Sequence, residues 1–208
     1  MSKHSQYQDY VIRDGKLIGE FEQMYADFED PWEQSTREEK SLEKLIGLHL
    51  LAENKHTHPL EYGCGLGHYT QRLFEVCSNG GGGDISTTAI MKAKTKYPGP
   101  QFFVGDLLDK AILKEFKPDC LLMIEITWYV LEKLADFKKI IKEYPGLGFY
   151  HTLMTYKEDE QRYGREYFTN LNQILEFWSD VINISDWGYI GRNNYDGGAR
   201  TFLYGKIK

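Results

Sequence analysis

Four carboxylates, Glu61, Asp84, Asp106 and Glu125, each fall in or just after a strand-like run, and the first stands at the head of a glycine turn, Glu61-Tyr62-Gly63-Cys64-Gly65-Leu66-Gly67. Glycine at 63, 65 and 67 permits backbone conformations and close approaches that a Cβ would block, so a ligand can lie on the main chain. The apolar and aromatic run Pro59–Tyr62 leads into the turn and a helical pattern starts at His68, which is the strand, turn and helix of a nucleotide-binding crevice. The spacing narrows the ligand. A dinucleotide turn needs GxGxxG with a helix N-terminus aimed at a pyrophosphate, whereas these glycines run GxGxG and Glu61 lies two residues before the first. A carboxylate there repels a pyrophosphate and favours a cation. The chemistry predicted is the holding of a ligand that carries positive charge.

Bringing these residues together requires strands laid side by side with their carboxyl ends on one edge, where open α/β sheets bind ligands. Strand runs are read at 59–62, 78–85, 101–104, 120–124 and 148–153, with helical patterns at 68–76, 87–97 and 131–143 between them. A helix near 170–178 precedes two more strand-like runs, 181–190 and 200–207, joined by RNNYDGG at 192–198, which has hairpin-loop composition. Ahead of the first strand, Ser35-Thr36-Arg37-Glu38 has the form of a capping box and opens a helix with Leu42, Leu45, Ile46 and Leu50 on one face. One stretch conflicts with its place. A buried parallel strand normally shows a run of Val, Ile and Leu, but residues 80–83 are four glycines, which should weaken the strand and mark local disorder or an unusually close neighbour.

Position assigns further candidates. Asp84 lies 17 residues after Gly67, where a Rossmann-like fold offers a carboxylate to ribose hydroxyls; Asp84 or Ser86 could equally cap the next helix. Glu125 closes the strand at 120–124, beside the topological switch point, so residues 125–130 should line the site. Trp128 and Tyr129 combine apolar faces with polar tips, suited to holding a sugar or ring and aligning its nucleophile, or to packing under the following helix. His151 is a hydrogen-bonded structural residue or a proton acceptor. Residues 154–168 are a polar, tyrosine-rich insertion, either a cap over the acceptor with Tyr156, Arg162 and Tyr163 in contact, or a solvated face. In residues 1–34, Phe21, Met24, Tyr25 and Phe28 have helical spacing and Asp30-Pro31-Trp32 stops the pattern. This is a helix capping the sheet, or a lid that closes Tyr25, Phe28 and Trp32 over the ligand. His56 and His58 read as ordinary exposed histidines rather than metal ligands.

The three spans Glu61 to Gly67, Asp84-Ile85-Ser86 and Gly105-Asp106-Leu107 resemble the first three motifs of class I S-adenosylmethionine-dependent methyltransferases. DFEDPWEQ at 27–34, IEITWYVLEKL at 124–134 and RTFLYGKI at 200–207 are similar to the NodS-type nodulation N-methyltransferases, a branch that methylates an amino sugar. The resemblance implies an α/β fold: a Rossmann-like, mostly parallel seven-stranded sheet with helices on both faces and an antiparallel carboxy-terminal strand. It implies S-adenosylmethionine as cofactor. Glu61 and the Gly63 carbonyl would hold the ammonium end and Asp84 the ribose. Asp106 would accept from the adenine amino group, with Ile85 and Leu107 sandwiching the ring, and Gly65, Gly67, Ile124, Tyr25 and Trp32 would complete the cofactor site. An amine acceptor must be neutral to attack, so Glu125 or His151 would take its proton while Tyr129 aligns it.

The activity implied is N-methylation of an amino sugar or similar small polar amine. The alternatives are O-methylation of a small molecule and a catalytically silent cofactor-binding protein, which only the glycine run favours. A nicotinamide-dependent oxidoreductase is opposed by the GxGxG spacing, by Glu61 and by the terminal hairpin. At 208 residues the chain suits one domain, since single domains commonly reach about 200 to 250 residues. A net charge of −6 without a basic block opposes nucleic-acid binding. The polar amino terminus and the lack of any apolar run near the roughly 18 residues of a membrane span predict a cytoplasmic protein that does not engage membranes, a monomer or homodimer acting on a small-molecule acceptor. The three cysteines, Cys64, Cys77 and Cys120, have no metal spacing and read as small buried hydrophobes in a reducing compartment.

Overall fold

The computed structural model describes residues 3–37, 41–156, 160–191 and 199–208; the loop at 192–198 and Glu38 of the capping box lie outside the described residues. The amino-terminal segment forms a two-stranded antiparallel ribbon, β1 (Ile12–Arg13) and β2 (Lys16–Leu17), then α1 (Phe21–Asp27). A single turn, α2 (Gln34–Arg37), follows, started by Asp30, whose carboxylate accepts from the Gln34 and Ser35 N–H groups at 2.8 and 2.9 Å. The expected helix before the first sheet strand is α3 (Leu42–Glu53). It buries Glu43, Gly47, Leu48, Leu50 and Leu51, while Leu42 and Leu45 are exposed, so the face is rotated from the one expected. Gly47 sets that face. A Cβ there would lie 2.5 Å from the Tyr150 ring and 2.6 Å from the Tyr69 hydroxyl, so the helix seats its glycine, and not Leu45, against the domain.

The strand runs at 59–62, 101–104, 120–124 and 200–207 are found at those bounds, and the others shift by one to three residues at an end. The main sheet contains β3 (Pro59–Tyr62), β4 (Gly81–Asp84), β5 (Gln101–Val104), β6 (Cys120–Ile124), β7 (Gly148–Met154), β8 (Ile182–Ile190) and β9 (Arg200–Ile207). Their order is β5-β4-β3-β6-β7-β9-β8, and β9 alone runs against the rest. This is the predicted Rossmann-like sheet. Helices α3, α4 (His68–Cys77) and α5 (Thr87–Lys96) cover one face. The other is covered by α6 (Lys110–Phe116), missing from the sequence reading, with α7 (Leu134–Ile141) and α8 (Leu171–Ser179). Strand β6, Cys-Leu-Leu-Met-Ile, is buried throughout because helices pack on both of its faces.

Three of the four glycines of residues 80–83 have a packing cause. A Cβ at Gly80 would lie 2.8 Å from the Phe74 backbone nitrogen, at Gly81 2.8 Å from the Phe116 ring, and at Gly82 2.7 Å from Thr70 Oγ1 and 2.8 Å from Cys64. Helix α4 and the glycine turn press on β4 from one face and Phe116 of α6 presses from the other. The strand forms because close neighbours exclude side chains, and Gly81–Asp84 is fully buried and paired on both edges.

Helix α1 is tied to α5 at both ends. Glu22 in its first turn accepts from Ser86 Oγ at 2.7 Å, Thr88 N at 3.1 Å and Thr88 Oγ1 at 2.6 Å, adding negative charge at the α5 N-terminus. Lys92 of α5 donates in return to the Tyr25 and Phe28 carbonyls at 2.9 and 3.0 Å, at the C-terminus of α1. Ser86 is the α5 cap, its side chain accepting from Ala89 N; Asp84 is not. Residues 155–156 and 160–167 hold only turns and bends, without the helix their composition allowed. His56 and His58 are bonded rather than exposed: His56 Nε2 lies 2.7 Å from the Tyr204 hydroxyl and His58 Nε2 2.6 Å from Asn79 Nδ2. All three cysteines are buried free thiols. No helix among the described residues is long and apolar enough to cross a membrane.

Candidate active site

A cavity of about 750 Å³ opens along the carboxyl ends of β3, β4, β5 and β6 and is roofed by the amino-terminal segment. One end holds Gly63, Asp84, Ile85, Asp106 and Leu107, with Tyr25 and Trp32 above; the other holds Ile124, Glu125, Tyr129, Met154, Tyr156 and Arg200. The glycine turn takes its shape from Gly63, Gly65 and Gly67, all at positive φ. Its N–H groups are already engaged: Gly65 donates to Asp84 Oδ2 at 2.9 Å and Leu66 donates to Gln34 Oε1 at 3.0 Å. A pyrophosphate bound as in dinucleotide folds would need such donors, so the turn is built for another ligand.

Asp84 is fixed by that bond and by Ser86 N at 2.9 Å to its other oxygen; burial pushes its carboxyl above the usual range, and the two backbone donors pull against it. Asp106 is buried enough to be raised as well, but the Lys133 ammonium bonded to Oδ2 and the Leu108 N–H on Oδ1 at 3.0 Å hold it below the ordinary value. Ile85, 53 % exposed, and Leu107 present apolar surface at the same end. A floor of two ordered carboxylates, flanking apolar side chains and bare glycine backbone fits a nucleoside with a zwitterionic tail, and a cavity of this size suits a cofactor-sized ligand.

Several expected residues lie elsewhere. Glu61 does not line the cavity. Strand alternation gives Leu60 and Tyr62 to the α6 and α7 face, so Glu61 points under α4, where it accepts from Thr70 Oγ1 at 2.6 Å. Gly65 and Gly67 shape the turn without lining it: a Cβ on the first would meet the Tyr25 hydroxyl at 2.5 Å and on the second the Phe102 ring at 2.7 Å. Phe28 packs edge-on against Tyr10 instead of over the cavity. His151 is fully buried, stacked beside Phe149 and Trp178 with Nε2 2.7 Å from Thr127 Oγ1, and burial drops its pKa to about 3. It faces the core, outside the cavity, and is no proton acceptor for the site.

Glu125 is where the sequence puts it, and its setting is specific. It has a left-handed backbone, φ +59, at the end of β6. The Met154 N–H donates to Oε2 at 2.9 Å, while Oε1 is buried without a hydrogen-bond partner, 4.0 Å from Arg200 Nη1. Burial pushes this carboxyl up and Arg200 opposes it. Arg200 is anchored at 2.6 Å to Glu43 Oε1, only 1 % exposed at the start of α3. Tyr129 also lines the cavity, its phenol pushed far up by burial and therefore a donor rather than a base.

A second cavity of about 300 Å³ adjoins the first and shares Tyr7, Trp32, Tyr129 and Tyr156 with it. Trp128, Arg162 and Tyr163 line this one and not the larger. Sequence reasoning missed Lys133, Arg200, Glu43, Gln34 and Gln161. Arg200 and Gln34 stood inside runs noted only for their resemblance and, for Arg200, as a strand, with no role of their own, and nothing local marks Glu43; Glu43 and Gln34 reach the site from elements far away in sequence.

Residues 60–145 match the family model described as a methyltransferase domain. A search of the curated proteins finds no match by sequence. Among solved structures the chain is similar to the N-methyltransferase NodS from Bradyrhizobium japonicum WM9 in complex with S-adenosyl-l-homocysteine, at TM-score 0.66 and 15 % identity, covering 97 % of this chain and 96 % of that one. It is also similar to the PH0226 protein from Pyrococcus horikoshii OT3, at 0.64 and 17 %, covering 88 % and 98 %. A third is the magnesium protoporphyrin IX methyltransferase from Synechocystis PCC 6803 with bound SAM, at 0.56 and 14 %, covering 97 % and 89 %. Residues 60–145 thus match a methyltransferase domain, and the whole chain has a Rossmann-like methyltransferase fold that resembles that of NodS.

Proposed function

We propose that this enzyme methylates the nitrogen of a small polar amine, an amino sugar or similar metabolite, and that Glu125 receives the proton. The observation that carries this is Glu125 Oε1, a buried carboxylate oxygen without a hydrogen-bond partner at the end of the cavity away from Asp84 and Asp106. Leaving it so is costly unless a ligand donor completes it. An ammonium or amine N–H supplies that donor.

Bound S-adenosylmethionine supplies a methyl group already activated on a sulfonium sulfur. The chain's own work is to bind, orient and accept a proton. Asp84 takes the ribose hydroxyls, Asp106 the adenine amino group, Ile85 and Leu107 the faces of the ring, and the Gly63 carbonyl the ammonium. Tyr25, Trp32 and the rest of the amino-terminal lid exclude water above them. Tyr129 and Tyr156 hold the acceptor at near-attack distance, which can lower the barrier by about 7 to 11 kcal/mol. Glu125 removes the amine proton so that a lone pair is available. The packing cause of the glycine run removes the one feature that favoured a silent binding protein.

Transfer of labelled methyl to glucosamine and a panel of small amines tests the proposal. Glu125→Gln should lower turnover by about 10²-fold or more and remove the acid limb of the rate profile, with S-adenosylhomocysteine still bound. An unchanged profile in that variant would exclude Glu125 as proton acceptor.

A further inference from the structure

The second cavity shares none of the floor residues at the nucleoside end of the first, since Asp84, Ile85, Asp106 and Leu107 do not line it. It meets the first across Tyr129 and Tyr156, on the Glu125 side, and so extends the acceptor's space. Its walls are aromatic. Trp128 has its Nε1–H engaged by the Met154 carbonyl at 2.9 Å and leaves carbon faces toward its neighbours, with Tyr156 at 6.0 Å between ring centroids. Trp32 and Tyr129 lie 5.6 Å apart and tilted by 35°.

Of the polar residues that line this cavity, Gln8, Glu160 and Arg162 are exposed and Gln161, on the cap, is buried at 3 % exposure. Its Nε2 donates to the Phe168 carbonyl at 2.7 Å and to the Tyr163 carbonyl at 3.1 Å, which fixes the amide orientation. Oε1 is left buried and without a partner. Charge on this cavity cancels between Glu160 and Arg162, so a neutral ligand is favoured. A cavity of about 150 Å³ suffices for benzene, so roughly 300 Å³ takes one ring with its substituents.

We infer that this cavity is a subsite for a neutral, flat-faced ring of the acceptor, remote from the methylated amine, seated on Trp128 and Tyr156 with a ring hydroxyl donated to Gln161. This rests on the reading of the acceptor as an amine at Glu125, and narrows it to an amine joined to a hydroxylated ring. A phenolic ring and a sugar ring share that chemistry, since both present an apolar face and a hydroxyl.

Two probes without an amine test the subsite alone. Phenol and methyl glucoside are titrated into enzyme saturated with S-adenosylhomocysteine, following the indole N–H signals of Trp32 and Trp128. Trp178 in the core and Trp187 on edge strand β8 serve as internal references. At least one probe should shift Trp32 and Trp128 saturably, and which one identifies the ring. Gln161→Met should weaken that binding about tenfold. Because Gln161 also ties the cap, Ile12→Trp provides a second variant that fills the cavity without touching those bonds and should abolish binding; S-adenosylhomocysteine affinity reports folding in both. Neither probe moving the signals, or both variants binding as wild type, overturns the subsite. Methyl transfer to tyramine separates the two readings. Ring binding with no amine methylated leaves the subsite and removes the amine; methylation of short amines with no ring binding does the reverse.

Discussion

Arg200 donates to the buried carboxylate of Glu43 at 2.6 Å and stands 4.0 Å from Glu125. Strand register puts Arg200 opposite Met154, whose N–H holds the other oxygen of Glu125. The start of β9, the end of β7 and the first turn of α3 therefore meet at one carboxylate. The charges facing it are Arg200, Glu43 and Lys44, with the hydroxyls of Tyr129, Tyr150 and Tyr156 nearby.

Burial raises the Glu125 carboxyl, Arg200 lowers it and Glu43 raises it. Activity that needs ionised Glu125 falls as pH drops through its pKa, and the raised value puts that limb above the ordinary carboxylate range. Arg200→Gln should move the limb further up. Glu43→Gln should move it down, because it removes a negative charge and frees the guanidinium for Glu125. Rate profiles of the two variants should shift in opposite directions; a common direction would contradict the arrangement.

Lys133 binds Asp106 Oδ2 while Leu108 N binds Oδ1. Without the ammonium the carboxyl loses both its orientation and its main source of acidity. Lys133→Met should weaken S-adenosylhomocysteine binding about three- to tenfold by calorimetry, with a larger loss at low pH.

Gly82 and Gly83 adjoin in β4 but differ in their neighbours. A methyl at Gly82 would sit 2.7 Å from Thr70 Oγ1, whereas at Gly83 the nearest atom is 3.6 Å away. Gly82→Ala should cost about 1 to 3 kcal/mol in denaturant unfolding, the usual range for overpacking. Gly83→Ala should stay within about 0.5 kcal/mol of wild type.

His151 is held neutral in the fold, with a pKa near 3 against the ordinary 6.5. The unfolded chain binds the extra proton between those values, so stability is full above pH 6.5 and declines as pH falls toward 3, at about 1.4 kcal/mol per pH unit from this group. His151→Phe should flatten that dependence. An unaltered slope would mean that other groups set it.

The reciprocal contacts of Glu22 with the start of α5 and of Lys92 with the end of α1 tie the amino-terminal segment to α5. Glu22→Gln with Lys92→Met should speed release of S-adenosylhomocysteine in stopped flow. A release rate equal to wild type would assign the segment to packing alone.

Much of this was legible in the order of residues. Strand runs, helix periodicity and glycine spacing gave the sheet and the turn, because each depends on neighbours within a few positions. Asp84, Asp106 and Glu125 were legible for the same reason: each follows a strand whose end must face the crevice. Glu61 and His151 were misjudged because sequence places a residue on a strand without saying which face it takes. The terminal strand was visible, but Arg200 within it carried no sign of its partner 157 residues earlier.

By itself the sequence determined the sheet, the turn and the kind of cofactor they suit, since local chain geometry allows little else. The tertiary structure decided the rest. Parity turned Glu61 under α4, close packing gave glycine to β4, and distant elements brought Glu43, Arg200 and Gln161 to the acceptor's space. Those outcomes depend on contacts between segments that chain order leaves undetermined, and burial then fixed which groups stay charged.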